Sequence, residues 1–233
     1  MDYQDRHVVI TGGTGALGVA VVGALLAAGA ACHVPYRSEE EVRRFPHRDH
    51  RNVSLVALGN LADESAVAAF YGGLERLWAS IHIAGGFAFA PIAQSDKSLL
   101  MTQLESNLIS TCLCSRAAIA AFRRSGNGGR IVNIAARQAL ESRLGANLTA
   151  YTVAKAGVVA FTIALAEEVA KEGILVNAVA PSIMDTPANR ASMPKADFNA
   201  WPKVEEVAAS ILFLASAQNQ VTRGAIVPTY GKA

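Results

Sequence analysis

Tyr151 and Lys155, four residues apart, are the pair in this sequence with the clearest chemistry. From about Ala150 onward the run is Ala-rich and helical in pattern, and positions i and i+4 of a helix share one face. An unperturbed phenol titrates near pH ~10, and a neighbouring ammonium stabilises its anion and draws that value toward neutrality. Such a pair can pass a proton to or from a bound molecule. The same spacing also occurs in ordinary surface pairs, so the reading rests on what the rest of the chain places around it.

The elements that must position the pair begin at His7–Thr11, a short strand rich in β-branched residues. It runs into Gly12-Gly13-Thr14-Gly15-Ala16-Leu17-Gly18 and then into a helical run, Val19 to Ala28, closed by Gly29. Gly13 to Gly18 satisfies G-x-G-x-x-G between a strand and a helix, the context in which that pattern binds a dinucleotide. Its glycines let a diphosphate approach the main chain, and the helix start offers free N–H groups to the anion. Gly12, Thr14, Gly15, Ala16 and Leu17 are therefore candidate cofactor contacts. A second strand, about Ala30 to Pro35, ends in Tyr36-Arg37 where an NAD site usually carries an acid on the ribose 2′-OH. A guanidinium suits a 2′-phosphate, so Arg37 favours NADP(H), with NAD(H) still possible. Glu39, Glu40 and Glu41 read as acids at the start of the next helix, where its dipole favours them.

Asn52–Ala57 reads as the third strand, and Asn60 and Leu61 after it lie where a loop could cover an adenine. Asp63 suits the N-cap of a helix from about Ala62 to Leu77. The fourth strand, Ala79–Ala84, ends in Gly85-Gly86; Ala84, Gly85 and Gly86 again permit close approach at a carboxyl edge. His82 reads as a core histidine. A loop from Phe87 to Ser95 leads to a long helix, about Ser98 to Arg123, containing Asn107. The fifth strand, Arg130–Ile134, precedes the Tyr151 helix, which continues to about Lys171. Ile174–Ala180 is the sixth strand, and Pro181-Ser182-Ile183-Met184 leave it as a loop able to meet a nicotinamide. Residues 185–202, rich in Pro, Asn and Ala, read as a substrate lid. A last helix, Val204–Ala215, and a strand, Ala225–Thr229, close the chain. Strands alternating with helices imply an α/β fold with a doubly wound parallel sheet in a single domain over 1–233.

Composition narrows the function classes. With 233 residues, 52% of them hydrophobic, the chain can bury one sizeable core. A formal net charge of +2 gives no basis for a nucleic-acid or membrane-surface partner. Cys32, Cys112 and Cys114 show no metal-ligand spacing, so no metal is expected; their odd number points to reduced thiols and a cytoplasmic protein. The polar start, Met1 to His7, shows no signal peptide, and no apolar run of the ~18 residues a membrane span needs escapes a charge or a glycine.

Taken in order, TGGTGALG (Thr11–Gly18), AG (Ala84–Gly85), Asn107, GRIVNI (Gly129–Ile134), YTVAK (Tyr151–Lys155) and NAVAP (Asn177–Pro181) resemble the short-chain dehydrogenase/reductase family across essentially the whole chain. The resemblance implies that Tyr151 is a proton donor. It also implies that Lys155 lowers the tyrosine pKa and holds the nicotinamide ribose, that Asn107 supports a relay water, and that Pro181, Ile183 and Thr186 meet the nicotinamide. It implies a homodimer or homotetramer acting on a small molecule. One departure stands out: the family's serine after the fifth strand is missing, since Asn133-Ile134 runs into Ala135-Ala136. Gln138 is the first candidate for a substitute donor and Ser142 the second. A narrower resemblance, to dihydropteridine reductases, lies in the Asp185–Trp201 segment, the turn Ala84–Phe87 and Ala136; those enzymes also lack the serine. A quinonoid ring takes up hydride without a localised oxyanion, so it needs a proton donor more than an oxyanion partner. Phe87, Gln138, Met184 and Trp201 are the candidate substrate contacts. The expected function is reduction of a quinonoid dihydropteridine by a nicotinamide cofactor. The alternatives are a 3-oxoacyl or carbonyl reductase and a catalytically weakened nucleotide-binding homologue.

Overall fold

The computed structural model describes residues 1–232. In chain order the elements are β1 (His7–Thr11), α1 (Ala16–Ala27), β2 (Ala31–Tyr36), α2 (Glu39–Arg44), β3 (Val53–Ala57), α3 (Glu64–Gly72), β4 (Ala79–His82) and α4 (Lys97–Gln103). A π-helical turn (Leu104–Ile109) joins α4 to α5 (Ser110–Ser125). Then follow β5 (Gly129–Ile134), α6 (Arg137–Leu140), α7 (Thr149–Glu168), β6 (Ile174–Pro181), α8 (Pro187–Ser192), α9 (Val204–Ala215) and β7 (Ile226–Thr229).

The seven strands form one parallel sheet in the order β3-β2-β1-β4-β5-β6-β7, the doubly wound arrangement expected from the sequence. Alternation along each strand feeds two cores. Val8 and Ile10 of β1 face the side covered by α1 and α9, while Val9 faces the side covered by α3, α5 and α7. β5 divides in the same way: Val132 and Ile134 join the first core and Ile131 the second. Buried on both faces, these strands need apolar residues at nearly every position, which is why they read as continuous runs.

Helix α7, with 20 residues, is long and apolar enough to cross a membrane by length and composition. Here Ala154, Val158, Leu165 and Ala166 of α7 are buried in the fold and Lys155 is buried among them, which is the packing of a core helix. The expected N-cap is present: the Asp63 carboxylate accepts from the N–H groups of Ser65 and Ala66. Helix α3 is shorter than the apolar pattern implied, ending at Gly72 with Gly73 as its cap. The long helix containing Asn107 is one continuous rod in sequence, yet its middle opens into the π turn. Residues 185–202 are not a plain loop either. They hold α8, whose start Thr186 caps through its hydroxyl, and a short turn at Phe198–Ala200. The ends of this segment are pinned where Asp185 N–H donates to Pro202 O (2.9 Å). The cysteines are free, with Cys32 and Cys114 buried.

Where β5 begins, the Phe122 ring of α5 lies on Gly129 so closely that a Cβ there would stand 2.5 Å from three ring carbons. The ring is 1% exposed and cannot move aside. Gly129→Ala is therefore expected to lower unfolding stability by about 1–3 kcal/mol, the usual cost of overpacking. Denaturant titration of the two proteins measures it, and an unchanged midpoint would refute this packing account.

Candidate active site

The site lies where the strand order reverses. β1 and β4 are neighbours, and the chain leaves them in opposite directions, so a crevice opens at their carboxyl ends. Gly12 closes β1 with φ +69°, and a Cβ on it would sit 2.6 Å from Ala84 N at the end of β4. Only glycine allows the two strand ends to meet there. α1 starts three residues later with Gly15 as N-cap and no side chain capping its first N–H groups. Free donors, the positive end of the helix dipole and a glycine turn fit a dinucleotide diphosphate.

Around this turn is a cleft of about 340 Å³. Its walls include Gly12, Thr14, Gly15, Ala16, Leu17, Arg37, Asn60, Leu61, Ala84 and Gly85, all singled out from the sequence as cofactor contacts. A second cleft of about 220 Å³ continues from it, sharing Leu17, Ile83 and Gly85, and is lined also by Gly86, Phe87, Asn107, Tyr151, Lys155, Pro181 and Met184. Several of the expected residues do not line either cleft. Gln138 sits half-buried on α6, and Ile183 is 39% exposed. The Thr186 hydroxyl is engaged in capping α8 through Asn189 N–H. Trp201 is 8% exposed and packs on Phe198, so it anchors the 185–202 segment rather than facing a ligand. Residues missed by sequence reasoning include Glu41, Ser106 and Ser110. Of these, Glu41 was legible in principle, since it falls one helical turn beyond Arg37.

Tyr151 and Lys155 do share a face of α7, and both open on the second cleft. Lys155 Nζ donates to Ile134 O at the end of β5 (2.7 Å) and is 5% exposed. Burial pulls the ammonium down to about 8. Tyr151 meets the edge of Phe87, with ring centroids 5.2 Å apart, and its hydroxyl has no hydrogen-bond partner among the described residues. The expected lowering of the phenol by Lys155 is not what the geometry gives. Burial dominates and pushes Tyr151 up to about 12, while the ammonium donates to the β5 carbonyl rather than to the phenol.

Asn107 lies in the π turn, a distortion frequent at functional sites. Its Nδ2 donates to Gly86 O (2.9 Å) and Gln103 O (3.0 Å), while its Oδ1 accepts from Gly86 N–H (3.3 Å). It thus clamps the β4 glycine turn to the long helix. Ala135 and Ala136, at 2% and 5% exposed, form the wall where a serine would otherwise point into the cleft. The Ser182 hydroxyl is turned to Tyr230 O (2.9 Å). That leaves the Tyr151 hydroxyl as the free side-chain donor facing the cleft together with the buried ammonium. Among the described residues no three His, Cys, Asp or Glu side chains form a group that could hold a metal ion.

The arrangement has known counterparts. The short chain dehydrogenase family profile matches residues 6–197. The cis-4-hydroxycyclohexanecarboxylate dehydrogenase of Sinomonas cyclohexanicum is 31% identical, over 98% of this chain and 96% of its own. The galactitol 2-dehydrogenase of Rhizobium johnstonii is 32% identical, over 97% and 96%. Among solved structures, ElxO with NADP bound superposes with a TM-score of 0.87 at 24% identity, covering 98% of both chains, which speaks to the fold. Neither named relative is a pteridine reductase, so the narrower resemblance is not carried by them. With its profile match, its full-length relatives and its glycine turn and Tyr-Lys pair on the expected elements, the chain belongs to the short chain dehydrogenase family of oxidoreductases.

Proposed function

We propose that this chain is an NADP(H)-preferring reductase, able to use NAD(H), that delivers hydride to a small, neutral, flat substrate of the quinonoid dihydropteridine type. The observation that carries it is the wall of the second cleft. Alanines stand at 135 and 136, the one free hydroxyl belongs to Tyr151, and the one charge is Lys155. Such a site can give a proton but has little with which to hold a localised oxyanion. Phe87 and Met184 add an apolar surface against which a planar ring can lie.

The nicotinamide cofactor, when bound, supplies the hydride. The chain's part is to hold and protonate. Free N–H groups at the start of α1 and the glycines of the turn receive the diphosphate, and Arg37, with its side chain 80% exposed, is available to a 2′-phosphate. NADP in the ElxO structure agrees with that preference. Tyr151 donates the proton from its hydroxyl. A phenol held near 12 stays protonated at neutral pH, the form a reduction needs. Lys155 fixes the cleft floor through Ile134 O and presents its remaining N–H donors to the ribose. Residues 185–202 would close over the substrate as a lid, with the Phe198–Trp201 pair as its anchor. We place the enzyme in the cytoplasm as a homodimer or homotetramer.

A second reading, interconversion of a carbonyl and an alcohol, is favoured by the two named relatives, both dehydrogenases of hydroxylated compounds. Comparing initial rates on quinonoid dihydropterin and on simple ketones separates the readings. The first expects turnover of the pterin at least ~10-fold more efficient, and the reverse order would favour the second. Tyr151→Phe is expected to cut kcat/KM by about 10²–10⁴, the usual weight of a positioned acid; unchanged activity would remove Tyr151 from the mechanism. Activity should also fall as pH rises through about 8, where Lys155 loses its charge, and this limb should vanish in Lys155→Met. A wild-type profile flat from pH 7 to 9.5 would contradict a role for the ammonium. Arg37→Asp should weaken NADPH binding more than NADH binding, as read by nucleotide fluorescence; equal losses would dismiss the 2′-phosphate contact.

A further inference from the structure

The three consecutive acids of α2 have three different tasks. Glu39 accepts from the Tyr36 hydroxyl (2.8 Å), and Glu40 pairs with Arg44 on the outer face of the helix. Glu41 turns back into the cofactor cleft, and it alone of the three lines it. Its Oε2 accepts from the main-chain N–H of Arg37 (3.1 Å) and from Thr14 Oγ1 (3.4 Å), and its Oε1 stands 3.4 Å from the Arg37 guanidinium. One carboxylate therefore gathers donors from two separate segments, the glycine turn after β1 and the loop after β2. Its side chain is 29% exposed against 80% for Arg37. The acid is the more buried partner and the guanidinium the more exposed one.

A backbone N–H, a hydroxyl and a guanidinium, converging just beyond the end of β2, form a donor set for an anion. In this type of sheet the adenosine ribose of a dinucleotide lies beyond that strand end. We propose that Glu41 is a built-in competitor for the 2′-phosphate, and that this residue sets the balance between the two nicotinamide coenzymes. The inference rests on the dinucleotide reading of the cleft given above. A ribose with a free 2′-OH can donate to the Glu41 carboxylate and leave its contacts in place. A 2′-phosphate needs the same donors and carries the same sign of charge, so Glu41 must yield before Arg37 and Thr14 can serve the phosphate. Arg37 thus attracts NADP(H) while Glu41 holds that preference down.

Calorimetric titration of the full chain with adenosine 2′,5′-bisphosphate and with 5′-AMP tests this directly, without turnover. Glu41→Gln should bind the bisphosphate about tenfold or more tightly than wild type, an effect on the scale of one charge-assisted contact. Its affinity for 5′-AMP should stay level or fall. Glu40→Gln removes the same charge from the same helix outside the cleft and should change neither. An unchanged preference in Glu41→Gln, or an equal gain in Glu40→Gln, would overturn the proposal, the latter by showing that net charge alone is felt. If neither nucleotide binds wild type or either variant, the dinucleotide reading itself fails, which is a different result from binding with an unaltered preference.

Discussion

The 2.7 Å hydrogen bond from Lys155 Nζ to Ile134 O is the constraint on which the site depends. An ammonium at 5% exposure is expensive to bury, and one carbonyl offsets only part of that cost. Burial accordingly pulls the ammonium down to about 8. The carbonyl is available because it stands at the end of β5, beside β6, to which Ala135 N–H still donates at Val179 O (2.9 Å). Gly85 must be a glycine for the same geometry: a Cβ there would stand 2.5 Å from Asn107 Oδ1 and 3.5 Å from Lys155 Nζ. The lysine thus couples a strand end, a helix face and a glycine turn, and the cleft is the space these three leave between them.

The fold was legible because its signals are local. β-branched runs of five or six residues, a glycine turn at a strand end and Ala-rich helices each identify themselves within one window, and alternation implies a parallel sheet, while the order β3-β2-β1-β4-β5-β6-β7 is read from the structure. The candidate cofactor residues gather at one cleft for the same reason, lying at the ends of successive strands. What escaped was decided by contacts far apart in sequence. For Trp201 the sequence leaves facing a ring and anchoring the 185–202 segment evenly balanced, and its burial against Phe198 favours the anchor. Glu41 looks like a dipole-favoured acid until Thr14, 27 residues away, is found beside it. The π turn has no local signal at all; it is fixed by Asn107 clamping Gly86 across 21 residues.

Burial also reverses the simplest expectation about the phenol. A nearby cation lowers a phenol, but here the cost of burying the phenolate dominates, and the ammonium's hydrogen bond goes to the β5 carbonyl. The result is a phenol biased toward its neutral form, near 12, beside a base-poor wall of Ala135 and Ala136. A phenol so raised carries its proton at neutral pH, and whatever draws it back toward the operating pH has to come from what binds in the cleft rather than from the residues that line it.

Behind the cleft, a file of buried polar groups fixes the strands that carry it. Tyr71 Oη lies 2.7 Å from Ser80 Oγ, which lies 2.8 Å from His82 Nε2, and His82 Nδ1 lies 2.8 Å from Asn133 Oδ1. Asn133 Nδ2 then donates to Thr162 Oγ1 (2.9 Å), which donates to Val158 O (2.7 Å), one turn past Lys155 on α7. The amide oxygen can only accept, so His82 carries its proton on Nδ1 and accepts at Nε2, and every hydrogen in the file points one way. Burial pulls His82 down to about 4, so the file stays neutral through the range in which Lys155 titrates. His82 and Asn133 are paired across β4 and β5, which locks the register of the two strand ends under the cleft. The site therefore combines a floor that does not respond to pH with one buried cation that does, and any pH dependence of binding beside Tyr151 should be traced to Lys155 before it is traced to the fold.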